Sequence, residues 1–534
     1  MPDKRRILLV SEFSALASGY SNFTREVFTR LHASGKFELA ELASYGAFND
    51  SRSLDLPWKF YWAMPNPDSQ TEIDEYGTHS HNEFGRARLE EALLDFKPDI
   101  VYSCRDWNVE FFVADSPFRR FFHWVFQTTC DSAPSPMEAL ALYGQADTLL
   151  TYSEFAKELI ATETNGKIAP AFAAPPAADF ECFVPVTNKS AHKKAVGLPE
   201  DSVIAMMVSR NQPRKLFGDF IEAFSLFVNN AHPSLAKRAY CYLHTTYPDR
   251  NPFDIPRLVR DSGISNKILF TYLCANCTQV FPGCWSDSVC ICPYCASPTA
   301  KTTSVNEGIS RQKLANVMQV ADLGIQLSSC EGFGLAQVEF AYCGVPVAST
   351  DYSAMSTVVR QLEGFPINVA KYRREPELHR LLAVPDGNHL AQIMNSFFAK
   401  PEAVRRQFGN VAREAALRYF TYDKTAAKLE ELFENVVLTG SQGRWNEPRK
   451  LLKHPTILPQ NQTTPEFVKW GIETIAGLTK PNQYTVMTML RDINNGCKQI
   501  NMNTAPYSRD NFYQEMLRIH EKYNIWEKKR AENV

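Results

Sequence analysis

Residues 328–339 read Ser328-Ser329-Cys330-Glu331-Gly332-Phe333-Gly334-Leu335-Ala336-Gln337-Val338-Glu339. Two carboxylates stand eight positions apart, and a glycine-flanked aromatic follows the first. An apolar run comes next, then Gly344-Val345-Pro346-Val347, which reads as a turn entering a buried strand. Gly332 and Gly334 allow backbone N–H groups to approach a diphosphate, and a helix starting here turns its positive end toward the same anion. On this reading Glu331 lies at the loop tip and Glu339 about two turns into the helix, so the pair brackets a ligand from sugar to ribose.

Working outward, 534 residues are too many for one core and suit two domains with additions. A charged fraction of 22% against 44% hydrophobic is ordinary for a globular chain. The formal net charge of -2 gives no overall attraction to nucleic acid or an anionic membrane, so any such partner must be met by a local patch. No apolar run approaches the ~20 residues that span a bilayer, and no membrane insertion is expected. Near the start, Lys4-Arg5-Arg6 precede Ile7-Leu8-Leu9-Val10, a stretch too short for a signal-peptide core and suited to a first buried strand. The expected location is cytoplasmic.

Six of the 13 cysteines fall between Cys274 and Cys295. Cys274-x2-Cys277, fourteen residues and Cys292-x2-Cys295 form the spacing of a zinc ribbon, two knuckles that close a tetrahedral site. The expectation is an insertion over 272–298 held folded by structural zinc, since four thiolates leave no open position. Cys290 competes with Cys292 as a ligand, and disulfides or free thiols are the alternative.

The chain alternates strands and helices, the pattern of doubly wound parallel sheets. The first half offers strands at 7–10, 37–42, 99–103, 124–127 and 148–152, with a helix over 22–32. The second half repeats the scheme at 203–208, 239–243, 268–271, 323–327 and 345–348, with helices over 217–228 and 312–320. The halves meet near Phe183-Val184-Pro185, and helices over 402–437 complete the second. Ligands of such sheets bind at the carboxyl ends of the strands, so the ribbon, which follows the 268–271 strand, belongs at the cleft edge.

Glu331 and Glu339 resemble the E-x7-E signature of family 4 of the retaining glycosyltransferases, and the resemblance extends over residues 6–437. It implies an α/β fold of the GT-B type: two Rossmann-like domains, 1–186 and 187–437, facing a cleft that takes a nucleotide-diphosphate sugar. It implies that Glu331 holds sugar hydroxyls and Glu339 the donor ribose, with Gly332, Phe333, Gly334 and Leu335 lining the donor. In Ser209-Arg210-Asn211-Gln212-Pro213-Arg214-Lys215 it implies a cation pair for the diphosphate, Arg210 with either Arg214 or Lys215, although Leu216 stands where a glycine is frequent. Gly19 matches a phosphate-contacting loop. Asp131 takes the place of a reaction-assisting histidine, and Arg105 and Asp106 point toward the acceptor, with a core-edge ion pair as the other reading. The family's route is front-face transfer with retention and no catalytic metal; Lys215 and Arg210 neutralise the departing diphosphate.

The acceptor is less legible. Residues 210–217 and Thr350-Asp351-Tyr352-Ser353-Ala354-Met355 resemble phage-encoded members, which implies DNA, through a hydroxymethylated base, as one acceptor; polysaccharide, protein and small molecules are the others. Residues 272–300 hold no Lys or Arg, so the ribbon offers Phe281, Trp285 and Tyr294 for stacking but no phosphate contacts. Residues 438–534 read as a helical extension, with helices over 466–478, 484–494 and 510–527 and a local basic excess. The rival classes are a nucleic-acid-binding protein on a transferase scaffold, a phosphorylase and a sugar-nucleotide epimerase.

Overall fold

The computed structural model describes residues 4–438, apart from positions 117, 248, 250–251, 287–289, 305–307 and 377, together with Trp445. The helices expected over 466–527, and the basic excess with them, lie outside the described residues.

Among the described residues the first domain holds six parallel strands: β1 (Arg5–Glu12), β2 (Phe37–Ser44), β3 (Lys59–Trp62), β4 (Ile100–Cys104), β5 (His123–Thr128) and β6 (Thr148–Thr151), in the order β3-β2-β1-β4-β5-β6. Period-2 alternation with both faces covered explains why β1 is apolar over Ile7–Val10. Ile7 and Leu9 enter one core cluster, Leu8 and Val10 the cluster on the opposite face, and all four are fully buried. The helix Gly19–Ser34 starts at Ser18, whose side chain accepts from the Ser21 N–H, and buries Phe23, Val27, Phe28 and Leu31.

The second sheet is built on β7 (Val203–Val208), β8 (Ala239–His244), β9 (Ile268–Cys274), β10 (Val280–Cys284), β11 (Ala300–Thr302), β12 (Leu323–Gln326), β13 (Val347–Thr350) and β14 (Phe365–Ile367). Its path runs β10-β9-β8-β7-β12-β13-β14. β9 pairs in parallel with β8 only over Ile268–Phe270. On its other side β9 pairs antiparallel with β10 over Leu269–Leu273, and past Phe270 β11 replaces β8 as a second antiparallel partner, which makes the base of the cysteine-rich insertion.

Three features went unread in the sequence. β3 and β14 are short edge strands, and β14 contains a proline. The hairpin β15 (Val369–Arg374) and β16 (Leu381–Pro385) has an outer strand exposed along nearly its whole length, so no hydrophobic alternation marks it. β16 lies along the seam of the two domains: Leu381 N–H donates to Ala133 O at 2.7 Å and Ala383 N–H to Ser329 O at 2.9 Å.

The chain crosses back to the first domain through the helix Tyr422–Asn435, which packs on the helix Gly19–Ser34. Arg30 meets Asp423 at 2.6 Å, and Lys36 meets Glu430 at 2.5 Å and Glu434 at 3.0 Å. Trp445 is buried against Phe118 and Phe121, with its Nε1–H donated to Pro98 O at 3.2 Å.

Candidate active site

The carboxyl ends of β7 and β12 bring the expected donor residues together. Glu331, 6% exposed, contacts Lys215 Nζ, accepts from Ser328 Oγ at 2.8 Å and Gln326 Nε2 at 3.3 Å, and faces Arg214 Nη2 at 3.8 Å. Its own N–H donates to Ser353 Oγ at 3.1 Å. Burial pushes the Glu331 carboxyl up, but the Lys215 and Arg214 charges outweigh it and hold the group below the ordinary glutamate value. Burial in turn pulls the Lys215 ammonium down, with Glu331 opposing. Of the two cations left open by the sequence, Lys215 is the one in contact with Glu331. Leu216 adopts φ 48°, ψ 45°, so the backbone keeps the conformation that a glycine would take freely.

Arg210 stands apart from this pair. Its side chain is about half exposed, and its Nη2 and Nε donate to Asp249 Oδ1 at 2.8 Å and Oδ2 at 3.3 Å. The Asp249 side chain is fully buried and also accepts from Thr246 Oγ1.

The loop after β12 differs from the sequence expectation in one respect. The helix spans Ala336–Tyr342, so Glu339 lies in its first turn, not two turns in. Four residues of loop, Gly332 to Leu335, precede the helix because Gly334 sits at φ 88°, where a Cβ would also meet Gln337 Nε2 at 2.7 Å. Gly332 faces the first domain: a Cβ there would lie 2.9 Å from Thr129 Cβ. Phe333 turns its ring into the core against Phe420, and Leu335 packs on the same cluster. Burial pushes the Glu339 carboxyl up to about 7, partly offset by the Arg311 charge.

On the first-domain side, Asp106 is exposed and accepts on Oδ1 from Tyr20 OH at 2.6 Å and Thr129 Oγ1 at 2.7 Å. Tyr20 and Thr129 were not among the expected residues, although Tyr20 adjoins Gly19 and Thr129 lies two positions before Asp131. Asp131 accepts from Arg380 Nη1 on both oxygens and so belongs to the domain seam. Arg105 is 2% exposed, ion-paired with Glu110 and bonded to Ser44 Oγ at 2.6 Å and Phe84 O at 3.0 Å. Its guanidinium is engaged inside the first domain, so the core ion pair, not a cleft contact, describes it. Gly19 opens the first helix with empty space about its Cα hydrogens.

The thiolates Cys274, Cys277, Cys292 and Cys295 lie within 4.8 Å of one another. Cys274 and Cys295 approach to 3.7 Å and Cys277 and Cys292 to 3.6 Å, near the about 3.8 Å edge of a zinc–thiolate tetrahedron. Cys290, the competing ligand, instead makes a backbone bridge to Ala300.

Residues 300–377, which include the Glu331 loop, match the family model described as Glycosyl transferases group 1. No curated protein matches the chain. Among solved structures, sucrose-phosphate synthase from Thermosynechococcus elongatus is similar at 16% identity and TM-score 0.58, over 81% of this chain and 98% of that one. A glycosyltransferase from Rickettsia africae is similar at 16% and 0.54, over 81% and 98%. Anabaena HepE in complex with UDP and glucose is similar at 13% and 0.55, over 81% and 100%. Among the described residues no helix is long and apolar enough to cross a membrane. The two facing sheets have the GT-B fold, and with a group 1 match across the Glu331 loop the chain is a glycosyltransferase.

Proposed function

We propose that the chain transfers a sugar from a nucleotide-diphosphate sugar to an acceptor hydroxyl with retention of anomeric configuration. The observation that carries this reading is the buried Glu331–Lys215 pair with Arg214 beside it, at the carboxyl ends of β7 and β12. Anabaena HepE, a structural relative, is described in complex with UDP and glucose, which supports a donor of that class.

Glu331, kept ionised by its cations, accepts donor-sugar hydroxyls, and Glu339 accepts from the ribose. Lys215, Arg214 and Arg210 supply positive charge to the leaving diphosphate. The acceptor oxygen bonds to the anomeric carbon on the face from which the diphosphate departs with its electron pair, and the acceptor proton passes to a departing phosphate oxygen. This route needs no covalent intermediate, and the carboxylates Glu331 of the loop after β12 and Asp131 of the domain seam are each ion-paired, with Lys215 and Arg380. Asp106 carries no hydrogen bond on Oδ2 among the described residues and is suited to orient an acceptor hydroxyl. Zinc in the four-thiolate site is structural, holding the insertion folded.

A thermal-shift panel of nucleotide sugars on the wild type and Glu339→Ala tests the donor site. A donor at 100 times its dissociation constant adds about 2.7 kcal/mol. One nucleotide family should shift the wild type and not the variant; no shift from any donor overturns the reading. Oligonucleotides with a hydroxymethylated base, oligosaccharides and small polyols form the acceptor panel, and NMR of the product gives the anomeric outcome.

A further inference from the structure

The four-thiolate insertion is joined to Arg210 by an unbroken series of contacts. Cys274, the last residue of β9, pairs with Ala300 of β11, and Tyr272 with Thr302. Closing the thiolates therefore sets where Thr302 and Thr303 emerge from the ribbon. Those two residues grip the loop after β8: Tyr247 N–H donates to Thr303 O at 2.9 Å, Thr303 Oγ1 to Thr245 O at 2.9 Å, and Thr302 Oγ1 to Tyr247 O at 3.2 Å. Trp285, from the same insertion, sets its ring edge-on to Tyr247 at 5.3 Å.

The gripped loop then holds the loop after β7. Thr246 Oγ1 donates to Asp249 and accepts from the Asn211 N–H at 3.3 Å. Buried Asn211 exchanges two hydrogen bonds with the Phe253 backbone, each at 3.0 Å. Asp249, its side chain fully buried, takes two donors of the half-exposed Arg210 guanidinium. A buried carboxylate with a fixed second donor leaves a flexible arginine little choice of direction.

We propose that Asp249 is the positioning residue for Arg210, and that the metal-closed ribbon tunes the affinity of the cleft for the donor diphosphate through it. This rests on the reading of Arg210 as a diphosphate ligand. It gives the insertion a role that its lack of Lys and Arg does not preclude, because the ribbon acts without touching phosphate. Metal and nucleotide are then coupled ligands, and the coupling is reciprocal.

The experiment uses the full chain, zinc, and whichever of UDP, ADP and GDP gives the largest thermal shift. Asp249→Asn should weaken that nucleotide about tenfold with bound zinc unchanged, and chelating zinc from the wild type should produce a similar loss. Chelation of Asp249→Asn should add little, since both act on one element. Reciprocally, the nucleotide should slow zinc release to a chelator in the wild type and not in Asp249→Asn. If the zinc-free protein loses its fold, the double variant Thr302→Val with Trp285→Ala, which keeps all four thiolates, should reproduce the loss. Wild-type nucleotide affinity indifferent to zinc and to the double variant, or losses that add fully, would overturn the coupling alone. No nucleotide binding by the zinc-loaded wild type would overturn the donor reading and this proposal together.

Discussion

Arg380, in the turn of the β15–β16 hairpin, spans the domain boundary to Asp131 with 2.9 and 3.1 Å contacts to its two carboxylate oxygens. The same guanidinium meets Glu375, and Tyr352 OH bridges the seam by accepting from Ala133 N–H at 3.0 Å and donating to Leu381 O at 2.8 Å. The hairpin thereby fastens the second domain to the loop after β5, next to the Glu331 loop. Because the pair is partly exposed, Arg380→Ala should cost less than about 1 kcal/mol of stability. Its effect on turnover should be larger, since closure excludes water from the reaction. Small-angle scattering should report a more open particle, and the ratio of donor hydrolysis to transfer should rise. An unchanged ratio would leave the contact a structural one.

Lys215 and Glu331 make a second, sharper prediction. Lys215→Met leaves a buried carboxylate whose remaining cation is Arg214 at 3.8 Å, and a broken buried pair costs about 3 kcal/mol. The pH dependence should also reverse. In the wild type the Glu331 pKa is depressed, so its contribution is present at neutral pH and is lost as pH falls through the depressed value. Without Lys215, burial dominates and the pKa rises, so the variant loses stability as pH climbs. Thermal melts across about pH 4 to 8 distinguish the two slopes.

How far the site was legible follows from the kinds of signal involved. Apolar runs such as 203–208 and the two glycines around Phe333 marked the sheets and the Glu331 loop, because burial and positive φ restrict residue type locally. Asp249 and Arg380 gave no such signal: their roles come from partners 39 and 249 positions away, and lone charged residues are common on surfaces. Arg105 was open to two readings, a cleft residue or half of a core-edge ion pair. Its position after β4 implied the cleft, but Glu110, five residues on, turns it inward.

Glu339 should impose a pH dependence on both stability and donor binding. Its folded pKa, about 7, lies above the ordinary glutamate value of 4.5, so its favourable contribution holds below 4.5 and is lost as pH rises through 7. A ribose hydroxyl donating to it prefers the ionised form, so donor affinity should increase across the same interval. Glu41, held by Ser14 and Trp58, also titrates near 7, so stability alone does not assign the effect. Glu339→Gln should remove the affinity step while leaving the Glu41 part of the stability curve, as calorimetric titration at several pH values would show.

Gly332 tests whether the cleft works in the closed arrangement. A methyl group at this position would stand 2.9 Å from Thr129 Cβ and 3.1 Å from its Cγ2, closer than carbon atoms tolerate. Its backbone is not among those with positive φ, so alanine meets no intrinsic strain and the effect isolates the contact between domains. Overpacking of this kind costs about 1–3 kcal/mol if the domains must stay together. They can instead separate, which lowers transfer with little change in melting temperature. Thr129→Gly removes the clashing atoms but also one donor to Asp106, so alone it should impair acceptor use and spare nucleotide binding. Combined with Gly332→Ala it should restore closure measured by scattering without restoring acceptor use. A double variant as open as Gly332→Ala alone would place the obstruction elsewhere.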